Sequence, residues 1–149
     1  MILSAQSIRR AGIIHPFHER TVAFGMSYGL SACSYDARID QNLVLPRGGF
    51  VLASTIEYLS LPDWIEGEVK DKSSWARQGL SCYNTLIDPG FTGYITLELT
   101  NNGPETLRIS GGMPICQLKF SLLDEPTDLP YRGKYQNQPN WPVEWIAET

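Results

Sequence analysis

A chain of 149 residues, 42% hydrophobic and 19% charged, has the size and mix of one compact soluble domain. Its net charge of −4 excludes a general attraction to nucleic acid polymers or anionic membrane surfaces, so a polyanionic ligand must be met by locally placed basic groups. No run approaches the roughly 20 apolar residues of a bilayer crossing, and MILSAQSIRR lacks the charged-then-apolar order of a secretory signal, which makes a cytoplasmic protein the expectation.

In chain order, Ser4 to Arg10 reads as a short helix, with Ser4 placed to cap it, Ile8 as its apolar position and Gly12 where it stops. Strand-like pieces then recur between turn signals. They are Asn42 to Leu45, Phe50 to Ser54, Ile56 to Leu61, Gly67 to Val69, Gly93 to Leu99, Thr106 to Ile109 and Ile115 to Leu122. Short strands at this spacing predict an all-β sandwich, jelly roll or barrel. From Asp124 onward, Pro126, Pro130, Pro139 and Pro142 stand among polar and aromatic residues. This is a tail of one domain spanning residues 1–149, and Tyr131, Tyr135, Trp141 and Trp145 predict that it docks.

Cys33, Cys82 and Cys116 are odd in number and widely separated, which suits reduced thiols better than a disulfide framework or a metal knuckle. His15 and His18 have no cysteine pair with which to form the His-x-Glu and Pro-Cys-x-x-Cys signature of zinc deaminases, so no protein-bound zinc is expected.

Three segments carry chemistry. Asp71 to Gly79 combines Lys72 and Arg77 with the hydroxyls of Ser73 and Ser74, the donors that a phosphate-binding turn needs, although a solvated turn has the same composition. Ile87-Asp88-Pro89-Gly90 is a turn presenting one carboxylate, which can also serve only its own backbone. In Tyr94 to Leu99, alternation puts Thr96 and Glu98 on one face and Ile95, Leu97 and Leu99 on the other. Glu98 is then either solvent-facing or partly desolvated, and desolvation would raise its proton affinity toward that of a general base.

Taken together, Lys72-Ser73-Ser74-x-Ala76-Arg77-x-Gly79-Leu80, Ile87-Asp88-Pro89-Gly90-x-x-Gly93-x-Ile95-x-Leu97-Glu98 and Gly112-Met113-x-Ile115 resemble the bacterial dCTP deaminase family. Tyr35-Asp36-Ala37-Arg38 and Tyr131-x-x-Lys134-Tyr135-x-x-Gln138 extend the resemblance toward both ends. It implies the distorted jelly-roll or β-barrel of the trimeric dUTPases, with active sites between subunits of a homotrimer. It also implies zinc-independent hydrolysis of dCTP to dUTP and ammonia. Lys72, Ser73, Ser74 and Arg77 would bind the triphosphate and organise the site, with Ser73 and Arg77 assisting catalysis. Asp88 would meet the deoxyribose, Thr96 and Leu97 the base, and Glu98 would be the general base. Tyr131, Lys134 and Gln138 would close over the nucleotide, and Gln117 matches a glutamine near the phosphates of many dUTPases. Mg²⁺ would arrive on the triphosphate.

The segment from Gln78 to Ile87 is about two residues shorter than in the bacterial deaminases, leaving Asn84 or Thr85 as the candidate base readers and 5-substituted cytosines as conceivable substrates. The alternatives are a bifunctional enzyme releasing dUMP, a dUTP pyrophosphatase using Asp88, and a non-catalytic nucleotide-sensing module.

Overall fold

The computed structural model describes every residue, Met1–Thr149. The elements are α1 (Ala5–Ala11), β1 (Ile14–His15), β2 (Thr21–Ala23), β3 (Met26–Leu30), β4 (Tyr35–Arg38), β5 (Leu43–Leu45), β6 (Phe50–Ser60), β7 (Ile65–Asp71), α2 (Ser73–Ala76), β8 (Leu80–Cys82), β9 (Leu86–Ile87), β10 (Thr92–Asn101), β11 (Leu107–Ile109) and β12 (Pro114–Leu122). Named strand pairs are all antiparallel. One sheet runs β2-β3-β4-β12-β7-β9, a second β1-β6-β10-β8, and β11-β5 forms a small ribbon. The all-β expectation stands.

Alternating burial on β7, β10 and β12 turns Val69, Leu97, Leu99, Leu118 and Phe120 into one apolar core shared by the sheets. No helix is long and apolar enough to cross a membrane.

Besides β1 to β4, β8 and β9, which are not among the strand-like pieces read from the sequence, three details differ. Ser4 occupies the position before α1, but its hydroxyl meets Ser7 Oγ at 3.2 Å instead of capping a backbone amide. Gly12 does end the helix, at φ 62°. The two pieces read on either side of Thr55 are one strand, β6, because the Thr55 hydroxyl accepts the Ile95 amide (3.1 Å) where β10 shifts register between Tyr94 and Thr96. Finally, α2 is a single turn with no helical period to announce it. Trp75 fastens it from below, donating its indole N–H to the Pro114 carbonyl at 2.7 Å.

Two buried ion pairs lie in this frame. Arg38 gives Glu57 both its backbone amide and Nε, each at 2.8 Å, and Glu57 is fully buried. Burial pushes the Glu57 carboxyl above the usual carboxylate range, against the pull of Arg38. Lys72 Nζ donates to Asp36 Oδ2 at 2.9 Å, with both side chains buried.

Candidate active site

A cavity of about 550 Å³ opens between β6, β9 and β10, the Asp88 turn and the tail. The pairing of Glu98 with Leu52 across β6 and β10 sets its floor. Glu98 and Thr96 point into it because residues 95, 97 and 99 face the core, as the alternation predicts. The bulge beside Thr96 turns Ile95 into the wall as well.

Glu98 is half-buried, and this is what separates it from an ordinary surface carboxylate. Desolvation raises its proton affinity, partly offset by the Thr85 hydroxyl, which donates to Oε2 at 3.4 Å. The neighbouring walls are Phe50, Leu52, Ile95, Val143 and Trp145, so the carboxylate has apolar surface on its cavity side. Asp88 lines the same cavity from an exposed turn whose backbone is closed by its own carbonyl, which accepts the Phe91 amide at 3.1 Å.

The tail docks along that turn. Tyr131 donates its amide to the Pro89 carbonyl (2.8 Å), Gln136 reaches Thr92 N and Gly90 O (2.9 Å each), and Gln138 pairs in parallel with Gly93. Gly93 has φ 138°, and a Cβ there would lie 2.5 Å from the Gln138 amide nitrogen, so only glycine lets the tail approach. Thr96 donates its hydroxyl to Gln138 Oε1 in a short bond and accepts the Val143 amide at 3.0 Å. Lys134 pairs with the Glu148 carboxylate at 3.0 Å.

Of the residues singled out in the sequence, Asp88, Thr96, Glu98, Tyr131 and Gln138 line one cavity. Leu97 is fully buried in the core, so only its backbone can approach a ligand. Ser73, Ser74 and Arg77 lie on and beside α2, and they, Lys72, Gln117 and Lys134 are absent from the cavity wall. The Lys72 ammonium faces inward to Asp36, and the residue as a whole is buried. Gln117 sits on β12 opposite Asp36 and Lys70.

Sequence reasoning missed the apolar walls from Phe50 and Leu52, which only the β6–β10 register brings to Glu98, and Val143 at the chain end; Trp145, expected only to help dock the tail, lines the cavity as well. The proline before Val143 and the tail's tryptophans were the available signals.

The solved structures place the fold in a class. EIAV dUTPase superposes with a TM-score of 0.56 at 26% identity, covering 68% of this chain and 84% of that one. The 2′-deoxycytidine 5′-triphosphate deaminase from Agrobacterium tumefaciens gives 0.65 at 18% identity, over 82% of this chain and 48% of that one. The architecture is the dUTPase-like one.

Within that class the chain belongs to the dCTP deaminase-like family, whose model matches residues 32–123. A dUMP-forming dCTP deaminase of Persephonella marina is 45% identical over 100 residues, 66% of this chain and 56% of the relative. A dCTP deaminase of Thermococcus sibiricus is 32% identical over 151 residues, 91% of this chain and 92% of the relative. The chain thus spans little more than half the length of the first relative and nearly all of the second.

Proposed function

We propose that this protein hydrolyses the C4 amino group of dCTP, with Glu98 as general base. The observation that carries the proposal is the half-buried Glu98 carboxylate, facing a cavity with a raised proton affinity and a single hydroxyl, that of Thr85, bonded to it. A carboxylate in this state takes a proton from water as the water oxygen bonds to C4. It passes that proton to N3, then carries the proton of the new C4 hydroxyl to N4 as the C4–N4 bond breaks, so that ammonia leaves and the C4 carbonyl and N3–H of the uracil remain.

In this reading Asp88, on the rim of the same cavity, meets the sugar, while Thr96 and Gln138, which also line it, meet the base. Ser73, Ser74 and Arg77 are the donors for phosphate. Because none of them lines the cavity, the complete site takes this turn from a neighbouring copy of the chain in a homotrimer. The exposed Phe50, Tyr83 and Leu86 support this arrangement. They flank the cavity as apolar surface suited to burial against another copy.

The donor set fits Mg²⁺ that arrives on the nucleotide. No three His, Cys, Asp or Glu side chains converge in the chain, so the metal would take its ligands from phosphate oxygens and water, held in turn by Arg77 and the Ser73 and Ser74 hydroxyls. Its contribution there is to neutralise phosphate charge.

A second reading is favoured by one observation. Asp88 and Glu98 line a single cavity, so one bound nucleotide can meet two acids, and the Persephonella marina relative is dUMP-forming. In that case hydrolysis at the phosphates follows deamination and pyrophosphate leaves. Incubation of the protein with dCTP and Mg²⁺ tests both readings. Ammonia with dUTP supports deamination alone, ammonia with dUMP and pyrophosphate supports the second reading, and binding without either product leaves a sensing module.

A further inference from the structure

Beyond Gln138 the chain continues as a strap that returns to its own cavity. The Val143 amide donates to Thr96 Oγ1 at 3.0 Å, the Ile146 amide donates to the Tyr135 hydroxyl at 3.2 Å, and Glu148 pairs with Lys134. Between these anchors Trp145 faces the cavity that holds Glu98, yet the residue is 80% exposed.

The other aromatics of the cavity already have partners. Phe91 is buried against Tyr131 with ring centroids 5.8 Å apart, Phe50 meets Tyr83 at 6.4 Å, and the Tyr135 hydroxyl is held by the strap. Trp145 has only the Lys134 ammonium, 6.0 Å from its ring centre. A large aromatic face left open at a cavity mouth is the counterpart of a flat heterocycle.

We propose that Trp145 is a substrate-binding residue, the ring against which the pyrimidine packs while its C4 faces Glu98, and that the strap from Val143 to Glu148 exists to hold that ring in place. The inference rests on the reading of this cavity as the nucleotide site. Packing of a base on an aromatic ring is worth on the order of tenfold or more in affinity. The strap supplies it at little ordering cost, since three anchors hold its chain in place.

The test is a comparison of the full chain with Trp145→Ala and Trp145→Phe. Ammonia release from dCTP with Mg²⁺ gives KM and kcat, and calorimetric titration with dCTP gives Kd. The expected result is a KM and a Kd for dCTP raised about tenfold in Trp145→Ala, kcat within about twofold, and most of the affinity restored in Trp145→Phe. Unchanged affinity in Trp145→Ala would overturn the inference. So would tighter binding, which would make the strap a plug that competes with the nucleotide. The titration separates the two readings: a parent that binds dCTP more tightly than Trp145→Ala but releases no ammonia sinks the deaminase reading and leaves Trp145 as a binding residue. A parent that does not bind dCTP overturns both.

Discussion

The Thr85 hydroxyl donates to Glu98 Oε2 at 3.4 Å, the one side-chain hydrogen bond made by this carboxylate. The bond is long, but it favours the ionised form against the desolvation that opposes it. In Thr85→Val the carboxylate loses that donor and its proton affinity rises further. The acid limb of the kcat/KM profile should therefore move to higher pH, and kcat near neutrality should fall several-fold. Measured pH–rate profiles of the two proteins check this, and coincident acid limbs would show that Thr85 does not orient the base.

Gly93 governs the tail. A Cβ at this position would meet the Gln138 backbone, and its φ of 138° strains any other residue. Gly93→Ala should raise KM for dCTP roughly tenfold by lifting Gln138 and the strap behind it. The same substitution should destabilise the fold by about 1–3 kcal/mol, the range for strained backbone. Steady-state kinetics and thermal melting read the two effects separately.

Much of this site was legible from residue order alone. The alternation in Tyr94 to Leu99 gave the face shared by Thr96 and Glu98, and the Pro-Gly turn gave Asp88. Whether Glu98 was wet or shielded was not legible, since its shielding comes from Phe50 and Leu52 on a strand more than forty residues earlier and from Trp145 in the tail. Likewise, Lys72 looked like a phosphate ligand by its neighbours Ser73 and Ser74. Its burial against Asp36 depends on β4 and β7 both flanking β12, which no local pattern states.

The buried Arg38–Glu57 pair should dominate stability. Glu57→Gln leaves the largely buried Arg38 guanidinium, whose side chain is 15% exposed, without its charge partner, a loss of about 3 kcal/mol. For a chain of this size that corresponds to roughly a 10 °C drop in Tm. A drop under about 2 °C by calorimetry would mean that water reaches the pair.

The proposed intersubunit sites predict complementation. Arg77→Ala and Glu98→Gln should each be inactive, yet co-refolded at equal amounts they should regain activity at about a quarter of the sites, where an intact Arg77 from one copy meets an intact Glu98 from the next. No recovery in mixed assemblies would place both residues in the same copy's site.

Glu98 itself provides the most direct test. Its proton affinity is raised by burial, so the ionised carboxylate costs the fold. Its favourable contribution is present below the ordinary carboxylate value of about 4.3 and is lost as pH rises through the higher folded value. Glu98→Gln should therefore melt above the parent at pH 8, with the gain vanishing near pH 4, a small effect because the group is only half-buried. The decisive measurement is ammonia released from dCTP by the two proteins under the same conditions. The account predicts that Glu98→Gln binds dCTP within a few-fold of the parent and releases ammonia at least a thousandfold more slowly. Equal turnover by the variant and the parent would contradict it.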